Sequence, residues 1–157
     1  MVTSSLVPIA PVRSTPAESA PAHKPVILLV EDESAVRAVT RQVLEHAGYQ
    51  VLESDGPQEA LRLAAAHHGR IALLLSDVVM PGMNGIELAR CIHRKQPWLV
   101  AVFMSGYANS HVLQQAEGLP CSIYMQKPFT VDRLLACVAR ALAKNSACQA
   151  SFSELPA

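Results

Sequence analysis

Five strand-length runs, most of them apolar, alternate along this chain with segments whose apolar residues recur at helical spacing. Val26-Ile27-Leu28-Leu29-Val30 contains no polar residue, and neither does Ala72-Leu73-Leu74-Leu75 or the run from Leu99 to Met104. Runs of this length without in–out alternation belong to strands buried on both faces, the condition of a parallel sheet. Tyr49 to Glu53 and Ser122 to Met125 complete the set. Between the first two runs, Val36, Val39, Val43 and Leu44 share one face of a helix from Ser34 to about Ala47, with Gly48 as its stop. Ala60, Leu61 and Ala64 do the same for Pro57 to about His67, and Gly82 to Gly85 turns the chain into a helix reaching about Lys95, before Pro97. Asn109 or Ser110 caps a weaker helix ending near Gly118. Thr130 caps the last helix, which carries Leu134, Leu135, Val138 and Leu142, with Asp132 in its first turn. Five strands alternating with five helices predict an α/β fold, a parallel sheet covered on both faces.

Residues 25–144 hold this pattern. Residues 1–24 are rich in Pro, Ser, Ala and Thr and cannot bury enough surface to offset their ordering entropy, so a disordered leader is expected. Residues 145–157 are read as a tail too short for another domain. Formal net charge is zero and aromatic residues make up 4% of the chain. That removes the basic field and the stacking surface used to bind nucleic acid. No stretch approaches the roughly 20 apolar residues that span a bilayer. Pro8 and Pro11 interrupt the segment from Leu6 to Val12, so neither a membrane partner nor a secretory signal is expected, and the cytoplasm is the expected location. Cys91, Cys121, Cys137 and Cys148 form no C-x-x-C pair and are read as buried, reduced thiols. The six histidines are scattered; His67-His68 suits a helix end, and none is assigned chemistry.

In sheets of this kind, binding groups gather beyond the carboxyl ends of the strands. The first strand ends in Glu31 and Asp32, followed by Glu33; the third ends in Asp77, the fourth in Ser105 and the fifth in Lys127. The second strand offers nothing comparable, as suits an edge strand. Crowded carboxylates repel one another and are costly to desolvate unless a cation joins them. Oxygen ligands select a hard ion, typically Mg²⁺. Each group then has a task in phosphoryl transfer. Asp77 is a carboxylate nucleophile able to form an acyl phosphate. Asp32 and Asp77 can hold Mg²⁺, with the backbone carbonyl of Val79 and waters completing an octahedron. Lys127 brings a mobile point charge to the phosphoryl oxygens, and Ser105 a hydroxyl donor. The N–H groups following Asp77 and Ser105, those of Val78 and Gly106, reach the same oxygens.

With these residues in place, the chain resembles the receiver domain of bacterial two-component response regulators over about Val26 to Lys144. The marks are Val30-Glu31-Asp32-Glu33, Asp77-Val78-Val79-Met80-Pro81-Gly82-Met83-Asn84-Gly85, Met104-Ser105-Gly106-Tyr107 and Lys127-Pro128-Phe129, in that order at matching strand ends. The resemblance implies a flavodoxin-like, doubly wound (βα)₅ fold with strand order 2-1-3-4-5. It implies Asp77 as phospho-acceptor, charged by a phosphohistidine on a sensor histidine kinase or histidine phosphotransfer protein. It further implies Mg²⁺ at Glu31, Asp32 and Asp77, a switch hydroxyl at Ser105, a phosphate-binding Lys127 joined to Pro128 by a cis peptide, and an aromatic switch at Tyr124. Two departures stand out: Glu31 where Asp is commoner, and Ser105 in place of Thr. The run from Phe103 to Ala108 looks like receivers attached to hybrid sensor kinases.

Phosphorylation is expected to draw Ser105 toward the site and let Tyr124 rotate into the vacated space. That changes a face made by the helix after the fourth strand, the fifth strand and the last helix. The same face is a candidate surface for a phosphorylation-dependent homodimer or for an unnamed downstream protein. The reading is therefore a stand-alone receiver without a DNA-binding output domain, a shuttle or sink in a phosphorelay and not a conventional enzyme. The competing class is an aspartyl-phosphate phosphatase or phosphotransferase on a similar sheet. Such enzymes usually carry D-x-D after the first strand, which Glu31-Asp32-Glu33 fits poorly. No G-x-G-x-x-G follows the first strand, which disfavours a dinucleotide site.

Overall fold

The computed structural model describes residues 23–106, 114–119 and 121–153. Its elements are β1 (Val26–Val30), α1 (Ser34–His46), β2 (Gln50–Ser54), α2 (Pro57–Ala66), β3 (Ile71–Asp77), α3 (Gly85–His93), β4 (Val100–Ser105), β5 (Ser122–Gln126) and α4 (Val131–Ser153). All neighbouring strands pair in parallel, in the order β2-β1-β3-β4-β5.

Strand side chains alternate between faces, so each apolar run feeds two cores at once. Ile27, Leu29, Leu73, Leu75, Val100, Val102 and Met104 pack with Leu44 of α1 and Leu134, Val138 and Ala141 of α4. Leu28, Val30, Leu74, Ala101 and Phe103 pack on the other side with Ala60 and Ala64 of α2 and Ile86, Leu88 and Ile92 of α3. A fully buried Leu, Ile or Val side chain contributes about 1.5–3 kcal/mol, so these two layers hold the sheet between its helices. The strand order reverses at β1, which sends the chain to β2 on one side and meets β3 on the other. A crevice therefore opens beyond the carboxyl ends of β1 and β3.

Local signals act where expected at several helix ends. Gly48 follows α1 with φ of 98°, a left-handed conformation that a residue with a Cβ rarely takes. Thr130 Oγ1 accepts the Arg133 N–H at 3.2 Å. Asn84 and Glu87 form a reciprocal capping box at the start of α3. The pattern Asn84-Gly85-Ile86-Glu87 carries that signal, which a reading of this stretch as a turn passes over.

Two expectations need correction. Helix α4 does not give way to a tail at residue 145 but continues to Ser153, because no Gly or Pro interrupts Val131–Ser153. The four cysteines are not all reduced: Cys121 and Cys148 form a disulfide, while Cys91 and Cys137 are free. Spacing along the chain hides this pair, since its partners lie 27 residues apart. They meet because α4 runs back along the sheet from the carboxyl end of β5 toward its start. The leader's residues 1–22, and residues 107–113 of the weak helix, lie outside the described residues. The end of that helix is described: Gly118 has φ of 89° and Leu119 N–H donates to Ala116 O at 3.0 Å.

Candidate acidic site at the strand ends

The sheet order brings the ends of β1, β3, β4 and β5 to one rim. Glu31 follows β1 and is held on both sides. Its N–H donates to Ser54 O at 3.1 Å, and its carbonyl accepts from Arg37 Nη1 of α1 at 2.8 Å. Asp77 closes β3, Ser105 closes β4, and Lys127 follows β5 with its N–H donating to Ser105 O at 2.8 Å. Lys127-Pro128 is a cis peptide, as the resemblance implies.

Lys127 Nζ donates to Glu31 Oε2 at 2.8 Å and to Asp77 Oδ2 at 3.1 Å. Glu31, Asp32 and Asp77 each offer a carboxylate oxygen within 4.8 Å of the others. Glu31 is only 1% exposed, Asp77 is buried, and Asp32 lies open at the rim. Burial raises the Glu31 carboxyl above its ordinary value and the Asp77 charge pushes the same way, against the hydrogen bond from Lys127. For Lys127 burial alone would lower the ammonium. The hydrogen bond to Glu31 and the charge of Asp77 outweigh it, so the group is raised and stays charged. Three carboxylates thus face one ammonium, leaving an excess of two negative charges that one divalent cation would neutralise. An all-oxygen donor set fits a hard cation such as Mg²⁺.

Most of the expected residues converge. Ser105 is buried at the rim beside exposed Gly106, and Val79 is 64% exposed just past Asp77. Val78 is a correction: its N–H donates to Met104 O at 3.0 Å, extending the β3–β4 ladder, and is not available to an incoming phosphoryl oxygen in this conformation. Tyr124 pairs in register with Phe103, their ring centroids 5.5 Å apart, and Ser105 pairs with Gln126. Tyr124 therefore lies on the same sheet face as Ser105, one pair removed. Its hydroxyl is buried without a hydrogen-bond partner among the described residues, and burial raises the phenol.

Three supporting residues escape a reading by strand ends. Arg37 lies six residues beyond Glu31, on a helix, and no local motif announces its reach to the Glu31 carbonyl. Ser76 is fully buried, and its hydroxyl donates to Asp77 O at 2.9 Å. Gly85 packs so closely that a Cβ there would sit 2.2 Å from Asp77 O. Its place in the Pro81-to-Gly85 turn is visible in the sequence, but the contact is not.

Residues 27–139 match the family described as the response regulator receiver domain. The chain is 36% identical over 122 residues to the sensor kinase CckA of Brucella abortus, covering 76% of this chain and 13% of that protein. The solved receiver domain of the hybrid histidine kinase CckA shares 35% identity at a TM-score of 0.65, over 74% of this chain and 98% of that one. A CheY-like receiver domain protein from Methanospirillum hungatei is 28% identical at a TM-score of 0.71, over 78% and 97%. The chain spans between 13% and 51% of the length of the first two curated relatives it matches. The order of the strands, the acidic trio with its lysine and this match agree, and the chain belongs to the response regulator receiver family.

Proposed function

We propose that Asp77 accepts a phosphoryl group from a phosphohistidine on a sensor histidine kinase or histidine phosphotransfer protein. The observation that carries this reading is the Lys127 ammonium bridging Glu31 and Asp77, with Asp32 alongside. An Asp77 carboxylate oxygen supplies the electron pair for the new P–O bond as the P–N bond breaks, and the imidazole keeps the released pair. Glu31, Asp32 and Asp77, with the Val79 carbonyl, would hold Mg²⁺, whose charge would neutralise the phosphoryl oxygens. Lys127 orients the same oxygens through its ammonium, and Ser105 and the Gly106 N–H donate to them.

The acyl phosphate then biases the Ser105–Tyr124 pair and the protein-binding face of β5 and α4, through which a downstream protein or a second copy docks. Taking such a switch from mostly off to mostly on requires about 5.5 kcal/mol of differential stabilisation. A few charge-assisted hydrogen bonds at about 1.5–3 kcal/mol each are enough. The chain is read as an acceptor and relay in the cytoplasm, charged once per cycle, and not as an enzyme turning over a free substrate. No described helix is long and apolar enough to cross a membrane.

The test is labelling by a phosphorylated kinase or a small acyl phosphate, with and without Mg²⁺. One phosphoryl group per chain is expected, lost on chelation and in Asp77→Asn. Labelling that survives Asp77→Asn would overturn the assignment.

A further inference from the structure

We propose that the Cys121–Cys148 bridge is a reversible thiol switch that decides whether the end of α4 is docked on the sheet. The inference does not depend on the phosphoryl chemistry, and it rests on where the bridge sits. Cys148 lies beyond residue 139, where the family match ends, in the last turns of α4.

Burial of apolar side chains does little to hold those turns. Leu134, Val138 and Ala141 are the buried residues of α4, and none of the described side chains from 142 to 150 is buried. Leu142, Asn145 and Cys148, three residues apart, are the half-buried ones, and they form one face of the helix. Asn145 weakens that face, because its side-chain oxygen is buried with no hydrogen-bond partner among the described residues. A helix end with so little apolar burial frays unless it is tied down.

At the other end of the bridge, Cys121 has φ of 63°, the left-handed region that a residue with a Cβ avoids. Both cysteines are only partly buried, and exchange requires a thiolate to reach one of the two sulfurs. The bridge therefore ties a segment in which no described side chain is fully buried to a backbone position that favours relaxation. Cys121 also immediately precedes β5, the edge strand, and its carbonyl accepts the Ala101 N–H at 3.3 Å. Docking and release thus act at the amino end of the strand whose carboxyl end leads to Lys127.

The chemistry is thiol–disulfide exchange with a dithiol. A thiolate of the dithiol attacks one sulfur, giving a mixed disulfide and releasing the other cysteine as a thiolate, which takes a proton. The second thiol of the reductant then displaces the remaining cysteine and closes its own disulfide. Two protein thiols form, the dithiol is oxidised by two electrons, and the oxidised dithiol runs the sequence in reverse.

The experiment equilibrates the full chain in mixtures of reduced and oxidised dithiothreitol. Alkylatable cysteines are counted after denaturation, and amide exchange is followed along α4. The oxidised form is expected to show two reactive thiols, Cys91 and Cys137, and the reduced form four. Exchange over residues 142–150 should rise about tenfold or more on reduction while residues 131–141 stay protected. Cys148→Ser should exchange like the reduced protein, and Cys91→Ser/Cys137→Ser should keep the full response. Four reactive thiols in every mixture would overturn the proposal. So would a bridge whose reduction leaves exchange over residues 142–150 unchanged.

Discussion

Replacing Gly85 by Ala should damage the site from behind without removing any of its acidic groups. The added Cβ would lie 2.2 Å from Asp77 O, 2.9 Å from Ser76 Oγ and 3.1 Å from the Asp77 carbonyl carbon. The serine hydroxyl can rotate away, but the carbonyl is backbone at the end of a buried strand and cannot yield alone. The loop must move, which strains the Gly85 N–H to Val78 O hydrogen bond, now 2.9 Å. Overpacking of this kind costs about 1–3 kcal/mol. A weakened hydrogen bond adds about 0.5–1.5 kcal/mol, for a total near 2–4 kcal/mol. With a urea slope of about 2 kcal/mol per molar, the unfolding midpoint should fall by about 1–2 M. Adding Ser76→Ala removes only the softer contact, so it should restore less than half of the loss. The strand end carrying the acceptor also shifts, and a displacement near 1 Å reduces reactivity by about 100-fold. Phosphorylation of the folded variant by a small acyl phosphate should slow accordingly. A Gly85→Ala midpoint within a few tenths of a molar of the parent, with unchanged labelling, would refute the packing argument.

Mg²⁺ should stabilise the folded chain by about 2.7 kcal/mol at 100 times its dissociation constant. Thermal melts should show that gain in the parent and its loss in Asp32→Asn. The raised Glu31 carboxyl means that the metal-free native state holds a proton more tightly than the unfolded chain. Stability from this group is therefore lost as pH rises from the unfolded value of 4.5 through the raised folded value, and Glu31→Gln should flatten that part of a denaturation-versus-pH curve. Lys127, also raised, stabilises fully below 10.5 and loses its contribution as pH rises through its folded value, so Lys127→Met should be less sensitive to alkali than the parent. Tyr124→Phe removes a buried hydroxyl that lacks a partner among the described residues, and should leave the unfolding free energy equal or higher by up to about 1 kcal/mol in a urea titration.

The strands, the parallel sheet and the groups at its rim were legible in the chain itself. Unbroken apolar runs such as Val26–Val30 fit only a doubly covered strand, and the residue after each run lands at the rim whatever the details of packing. Gly48 and Thr130 could be read for the same reason, since caps and stops depend on a few neighbouring backbone groups. Other features depend on atoms far apart in the chain. Lys127 finds Glu31 across 96 residues and Asp77 across 50. The Val78 N–H belongs to Met104, Gly85 presses on the Asp77 carbonyl, and Cys121 meets Cys148. Patterns along a chain specify which face a side chain takes, because that follows from local backbone periods. Which donor meets which acceptor follows from strand register and from the path of a helix across the sheet, and only the assembled tertiary structure decides those.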